Sequence, residues 1–317
     1  MSITSKIDNI VRIPEEALCL KPPIPPAVKV DVTRDCNHRC TFCSHSKGVT
    51  TGSMANFDFM RWAMEMKKAG VKEIAPFYWG EPFMNRNALF SAIETAKAIG
   101  FEYIFLTTNG VLAKAESVDR CMALGLNSLK YSLNYASPEQ YSEVTQCPPS
   151  NFKKILDNIQ AARAVRDAGK YNCKLYASYI EYDAEQGERM KDVLDHVGGY
   201  LDEVYALPLY NQAAKVKNDD WSFSGGNQGR KGGEVPPVPC WALFREGHLN
   251  FDGTLCACCF SVSDAFTMGN LHEQSFVEAW YSEKFQALRR AHLKAAAGDW
   301  SEFDASPCAG CVKRTKK

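Results

Sequence analysis

Between residues 28 and 211 short apolar runs alternate with longer segments whose apolar positions recur every three or four residues. The short runs, at 28–34, 73–80, 101–109, 128–134, 173–181 and 202–211, are rich in β-branched and aromatic residues and read as strands. The longer segments read as amphipathic helices. Two of them end on Gly70 and Gly100, where a left-handed cap belongs. Six strand–helix units in series imply right-handed crossovers and a parallel sheet, hence an α/β fold. Six is short of the eight that close a full barrel. The pattern alone therefore fits either an open (βα)6 partial TIM barrel or a doubly wound sheet.

Outside this stretch the pattern changes. Residues 1–27 form an N-terminal extension. Residues 212–239 are dense in Gly, Pro and polar residues and read as a linker or a lid. Residues 240–317 form a small α+β unit. His248–Phe260 predicts a hairpin turning at Asp252-Gly253, and Ser275–Gly298 predicts one helix. So small a unit has little core of its own, and an internal metal staple is expected.

Charge narrows the function classes. Lys and Arg number 37, as do Asp and Glu, so the net charge is zero and the phosphate-neutralising excess of a nucleic-acid binder is missing. The basic end, with Lys313, Arg314, Lys316 and Lys317, reads as a solvated tail. No apolar run spans a bilayer, and the first residues lack a signal-peptide core, so a cytoplasmic protein is expected. The 13 cysteines change the picture most. They cluster, which points to metal rather than to scattered buried thiols.

After the first strand the chain reads DCNHRCTFC, so Cys36, Cys40 and Cys43 have the spacing C-x3-C-x2-C. Three thiolates leave one position open on a soft metal centre. A closed zinc site completed by His38 or His45 is the alternative. The run Cys36-x3-Cys40-x-Phe42-Cys43 resembles the signature of radical S-adenosylmethionine (radical SAM) enzymes. That resemblance implies a [4Fe–4S] cluster held by these three cysteines, with SAM on the fourth iron, and a one-electron donor such as flavodoxin or ferredoxin. It favours the partial barrel. It also implies that Gly80-Glu81-Pro82 contacts the SAM amino group and that Phe42 lies beside adenine. Asn109, in the turn Thr108-Asn109-Gly110, and Ser132 and Asn134 after the fourth strand fall where this family holds the cofactor.

The last unit carries Cys240, Cys256, Cys258, Cys259, Cys308 and Cys311. Cys308-Ala-Gly-Cys311 is a metal knuckle when paired with cysteines elsewhere. The segment Cys240-x12-Gly253-x4-Cys258 resembles the opening of a SPASM domain, here in its shortened twitch form. The resemblance implies one auxiliary [4Fe–4S] cluster on Cys240, Cys258, Cys308 and Cys311, with Cys256 and Cys259 competing for the place of Cys258. Zinc is again the alternative, because four cysteines also close a zinc site.

Two reaction types remain open. The single auxiliary cluster and the 18-residue step from Cys240 to Cys258 resemble a twitch dehydrogenase, implying oxidation of a sugar or aminocyclitol alcohol. A thiol returning a hydrogen atom would instead make an epimerase, with Cys147, Cys256 and Cys259 as candidate donors. Cys121 and Cys173 fall on core faces. Peptide maturases share the extension, but the short stretch before the first strand favours a small-molecule substrate. Tyr78, Trp79, Lys130, Ser178, Tyr205, Tyr210 and Asn211 are candidates to line a pocket. Of the cations, Lys130 and Arg34 are candidates to meet a carboxylate or move a proton.

Overall fold

The computed structural model describes residues 2–47, 50–212, 223–260 and 264–312. Residues 213–222 of the expected lid and the basic tail from Lys313 lie outside them.

An amphipathic helix, α1 (Ile3–Val11), precedes the first strand, β1 (Ala27–Val30). From β1 the chain alternates as its pattern predicts. α2 (Asn56–Ala69) leads to β2 (Glu73–Ala75), and α3 (Arg86–Ile99) to β3 (Tyr103–Thr108). α4 (Ala115–Ala123) is followed by β4 (Ser128–Ser132), then α5 (Pro138–Thr145) and α6 (Ser150–Gly169). β5 (Lys174–Glu181), α7 (Gln186–Val197) and β6 (Glu203–Pro208) complete the series. Gly70 and Gly100 cap α2 and α3 at φ 112° and 90°, values that a side chain would strain.

Strands β1 to β6 lie side by side in chain order, each parallel to the next. A doubly wound sheet would reverse direction at a switch point. This one does not, so the fold is the partial TIM barrel.

The C-terminal segment joins the barrel sheet directly. After the short α8 (Ala242–Arg245), β7 (Glu246–Leu249) pairs with β1 in parallel, Ala27 opposite Glu246 and Val30 opposite Leu249. β8 (Thr254–Cys256) and β9 (Thr267–Asn270) follow antiparallel, making one sheet of nine strands. Leu249, Leu255, Phe276 and Trp280 share a buried cluster with Val28, Val30 and Trp62. This segment therefore shares its core with the barrel. The predicted single helix is two, α9 (Phe276–Trp280) and α10 (Glu283–Ala296), before a last turn, α11 (Ser301–Asp304). Ser282 breaks it by accepting from the Phe285 N–H at 3.3 Å, a capping bond that starts a new helix.

Helix α1 closes the barrel at the beginnings of its strands. The Ile3 N–H donates to Glu203 at 2.8 Å, and the Lys6 ammonium sits 2.9 Å from Glu73 and 3.2 Å over the Tyr103 ring. Asp8 pairs with Arg230 at 2.7 Å and so fixes the described part of the 223–239 segment against the helix. No described helix is long and apolar enough to cross a membrane.

Candidate active site

The loop after β1 is held from three sides. Asp31, fully buried, accepts from the Arg34 guanidinium at 2.8 Å and from the Trp79 N–H at 3.4 Å, joining the exit of β1 to that of β2. Arg34 is thereby neutralised, and it also stacks 4.8 Å from the Phe251 ring. On the far side, the Arg39 and Thr41 N–H groups donate to the Thr145 and Val144 carbonyls at the end of α5. Gln212, just past β6, accepts from the Ser44 N–H and donates to the Phe42 carbonyl at 2.7 Å.

Cys36, Cys40 and Cys43 come together within this loop. Burial pushes the Cys36 thiol up to about 12 and Cys40 well above the ordinary thiol range; Cys36 also feels Glu81, Cys43 and Cys147, and Cys40 feels Cys43, Cys36 and Cys147, as further negative charge. His38 is buried, and burial lowers it to about 4. Its Nε2 pairs with the Tyr141 hydroxyl at 2.8 Å, while its Nδ1 stays 4.0 Å from the Cys40 sulfur. His45 spends its Nε2 on the Arg34 carbonyl at 2.7 Å. Both histidines thus spend their Nε2 atoms within the protein.

Two strand-end turns converge on the loop. The buried Glu81 carboxylate accepts from the Thr108 hydroxyl and the Asn109 N–H, both at 2.7 Å, and from the Phe83 N–H at 3.2 Å. It ties the Gly80-Glu81-Pro82 turn to Thr108-Asn109-Gly110. Burial still raises this carboxyl to about 7, against those three bonds. The Asn109 amide donates to the Asn37 side chain at 2.7 Å, reaching into the cysteine loop. Gly80 is where these backbones meet: a Cβ there would lie 2.3 Å from the Thr33 carbonyl oxygen and 2.7 Å from that of Asp35. Ser132 closes β4, and Asn134 is buried just beyond it.

In the C-terminal segment, Cys240, Cys258, Cys308 and Cys311 line one small cavity of about 30 Å³, among apolar residues such as Leu243, Phe260 and Phe266. Cys308 is pushed up to about 12 by burial, and Cys240 and Cys258 rise for the same reason and through their cysteine neighbours. Two predicted pocket residues reach this region instead: the Tyr78 hydroxyl donates to the Cys258 carbonyl at 2.7 Å, and the Asn211 amide to the Gly310 carbonyl at 3.0 Å. Among the described residues no three such side chains converge on a single ion's position. The cysteines surround a space.

Between these sites lies the barrel cavity, about 380 Å³. It runs from α1, at Lys6 and Ile7, to Phe42 and Gln212 of the cysteine loop and to Cys259 and Phe260. Lys130, Tyr205 and Tyr210 line it. Ser178, Trp79, Tyr78 and Asn211 are not among its lining residues. The three candidate donor cysteines separate. Cys259 lines the cavity, with burial pushing it up to about 12 against the nearby Lys29. Cys256 is buried on β8, bonded by the Asn250 amide at 3.2 Å. Cys147 donates to the Asn37 carbonyl at 3.2 Å, beside the cysteine loop. Cys121 and Cys173 are buried in the core.

Residues 30–198, more than half of the chain, match the radical SAM superfamily. The chain belongs to that superfamily. Residues 240–312 match an iron–sulfur cluster-binding domain, SPASM. Among curated relatives, a probable GTP 3′,8-cyclase of Pyrobaculum aerophilum is 27% identical over 180 residues, 56% of each chain. The GTP 3′,8-cyclase of Desulforamulus reducens is 31% identical over 141 residues, 43% of this chain and 42% of its own. The chain thus spans about half the length of the curated relatives it matches. Among solved structures, BtrN in complex with AdoMet and 2-DOIA covers 92% of this chain and 93% of its own, with TM-score 0.57 and 15% identity. SuiB of Streptococcus suis, bound to precursor peptide SuiA, aligns over 83% and 66% with TM-score 0.63 and 14% identity. At such identities the likeness is one of fold.

The superfamily's cofactors are a [4Fe–4S] cluster with SAM, and the SPASM match adds auxiliary iron–sulfur binding. The donor sets fit these groups. Both thiol groupings are half-buried and mutually repulsive as thiolates, and iron supplies the positive charge they lack. Among the cavity residues that escaped the sequence reading are Lys29 and Glu246. Lys29 had a signal: it alternates with Val28 and Val30, so its side chain takes the face opposite theirs. Glu246 had none, because it enters through the pairing of β7 with β1.

Proposed function

We propose that this chain is a radical SAM oxidoreductase that converts an alcohol of a polar, sugar-like small molecule to a ketone. The observation that carries the reading is the single cavity touching both redox regions, Phe42 at the cysteine loop and Cys259 and Phe260 beside the auxiliary cysteines. Its volume suits a small metabolite. In this reading Cys36, Cys40 and Cys43 hold the SAM-binding cluster. Cys240, Cys258, Cys308 and Cys311 hold one auxiliary [4Fe–4S] cluster, since these four share a cavity and Cys256 and Cys259 do not line it. When bound, these groups supply a carbon-centred radical that takes a hydrogen atom from the substrate and an acceptor for one electron, so that, with one proton lost to solvent, the alcohol becomes a ketone.

The chain's own residues position and enclose. Glu81, Asn109 and the close approach at Gly80 hold three strand ends in register around the cofactor. Phe42 forms part of the cavity wall toward the cysteine loop, and α1 shuts out water from below. Gly80-Glu81-Pro82, Asn109, Ser132 and Asn134 would hold SAM. Anaerobic reconstitution tests the reading: about eight iron and eight sulfide per chain, with 5′-deoxyadenosine formed on reduction. A colourless zinc protein, or no SAM cleavage, refutes it.

Epimerisation is the second reading, favoured by one observation: the Cys259 thiol faces the cavity. Turnover in deuterated water separates the two. Deuterium on the product carbon, abolished in Cys259→Ser, supports epimerisation; a product oxidised by two electrons supports the dehydrogenase.

A further inference from the structure

Three lysines and two glutamates line the barrel cavity. Lys6 is paired with Glu73 at 2.9 Å and Lys29 with Glu246 at 2.8 Å. Glu246 is further engaged by His248 at 2.8 Å. Lys130, on the middle of β4, has no acidic partner among the described residues. Its ammonium sits 5.8 Å from the Tyr205 ring, and the charge it feels nearby is another cation, Lys29. Thr107 on β3 and Tyr176 on β5 are its register neighbours, and both line the same cavity. The lining therefore carries one positive charge more than its acids balance. Leaving a half-buried ammonium without a counter-charge is unfavourable, and a ligand anion removes that cost.

We propose that the substrate carries a carboxylate or phosphate group, and that this oxyanion seats on Lys130 beside Tyr205 and Thr107. The inference rests on the reading that the barrel cavity takes the substrate. It also narrows that reading, because a substrate amine at this level would face the unbalanced Lys130 ammonium. Burial and the charge of Lys29 lower Lys130 to about 8 in the free protein, and a bound anion reverses that shift.

The test uses the cluster-loaded protein with SAM bound and two probes, inorganic phosphate and acetate, measured by calorimetry. Wild type is expected to bind at least one of them, and the preference tells a phosphate-bearing from a carboxylate-bearing substrate. Lys130→Met should weaken that binding about thirtyfold or more, the scale on which removing one partner of a buried charge pair acts. Lys130→Arg should retain it. Lys153→Met, which changes an exposed lysine on α6, should leave it unchanged. Thermal unfolding of each variant shows that it is folded, and Lys130→Gln stands in if the methionine variant is not. Wild-type-like anion binding in Lys130→Met, or no binding of either probe by the wild type, overturns the inference. 5′-Deoxyadenosine formation by the wild type is scored separately. Its absence overturns the enzymatic reading, whereas its presence without anion binding overturns this inference alone.

Discussion

Gly80→Ala is the substitution on which the structure speaks most directly. An added Cβ would stand 2.3 Å from the Thr33 oxygen, 2.7 Å from the Asp35 oxygen and 2.8 Å from the Arg34 carbonyl carbon. All three are backbone atoms, so no side chain can swing aside. Relief requires the strand-two turn and the 33–35 backbone to separate by roughly half an ångström to one ångström, since real contacts of this kind seldom fall below 3.0 Å. Overpacking of this kind costs about 1–3 kcal/mol. For a chain of this size that is roughly 2–5 °C in unfolding temperature. Cys36 is the next residue along, and Glu81 is hydrogen-bonded to Asp35 through its own N–H at 2.8 Å. The shift therefore falls between the cluster loop and the SAM-binding turn. A misplacement of about 1 Å between reacting groups costs on the order of a hundredfold in rate. The expected result is near-normal iron content with 5′-deoxyadenosine formation down about a hundredfold. Gly70→Ala is the control: its φ of 112° is strained for alanine, but an added Cβ there meets nothing within 4 Å. It should lose stability and keep full SAM cleavage. A Gly80→Ala protein that cleaves SAM at the wild-type rate refutes the argument.

Alanine at Cys240, Cys258, Cys308 or Cys311 should each lower iron from about eight to about four per chain, while Cys256→Ala keeps about eight; iron loss in Cys256→Ala with retention in Cys258→Ala reverses the assignment. Glu81 gives a pH signature in the metal-free protein. Its carboxyl is raised from 4.5 to about 7 by burial, so its contribution to stability is fully present below about 4.5 and is lost as pH rises through about 7. The loss is about 3 kcal/mol, and denaturant titrations should show it in wild type and not in Glu81→Gln. Ser282→Ala removes the cap that starts α10 and should cost about 1 kcal/mol by the same titrations, with iron content unchanged.

What the sequence made legible was local. The cysteine spacings, the turn residues after β2 and β3 and the glycine caps of α2 and α3 are each set within a few residues, so their chemistry reads off the chain directly. The break at Ser282 was also local, a serine three residues before Phe285, but the apolar period runs through it and hides it. What escaped depends on pairing at long range. The predicted hairpin at Asp252-Gly253 is found, with His248 and Leu249 of β7 paired to β8, but the parallel pairing of β7 with β1, which carries Glu246 into the barrel sheet, has no local signal.

That same pairing explains why the cavity chemistry could not be read beforehand. Glu246 sits opposite Ala27 and reaches Lys29 at 2.8 Å only because β7 extends the barrel sheet past β1. Without β7, Lys29 and Lys130 would be two unpaired ammonium groups in one barrel, and mutual repulsion would disfavour both charges. With it, one charge is neutralised and one is left. The cluster-binding segment thus does more than carry cysteines: by adding a strand to the sheet it brings Cys259 to the cavity wall and sets the charge that a ligand meets there.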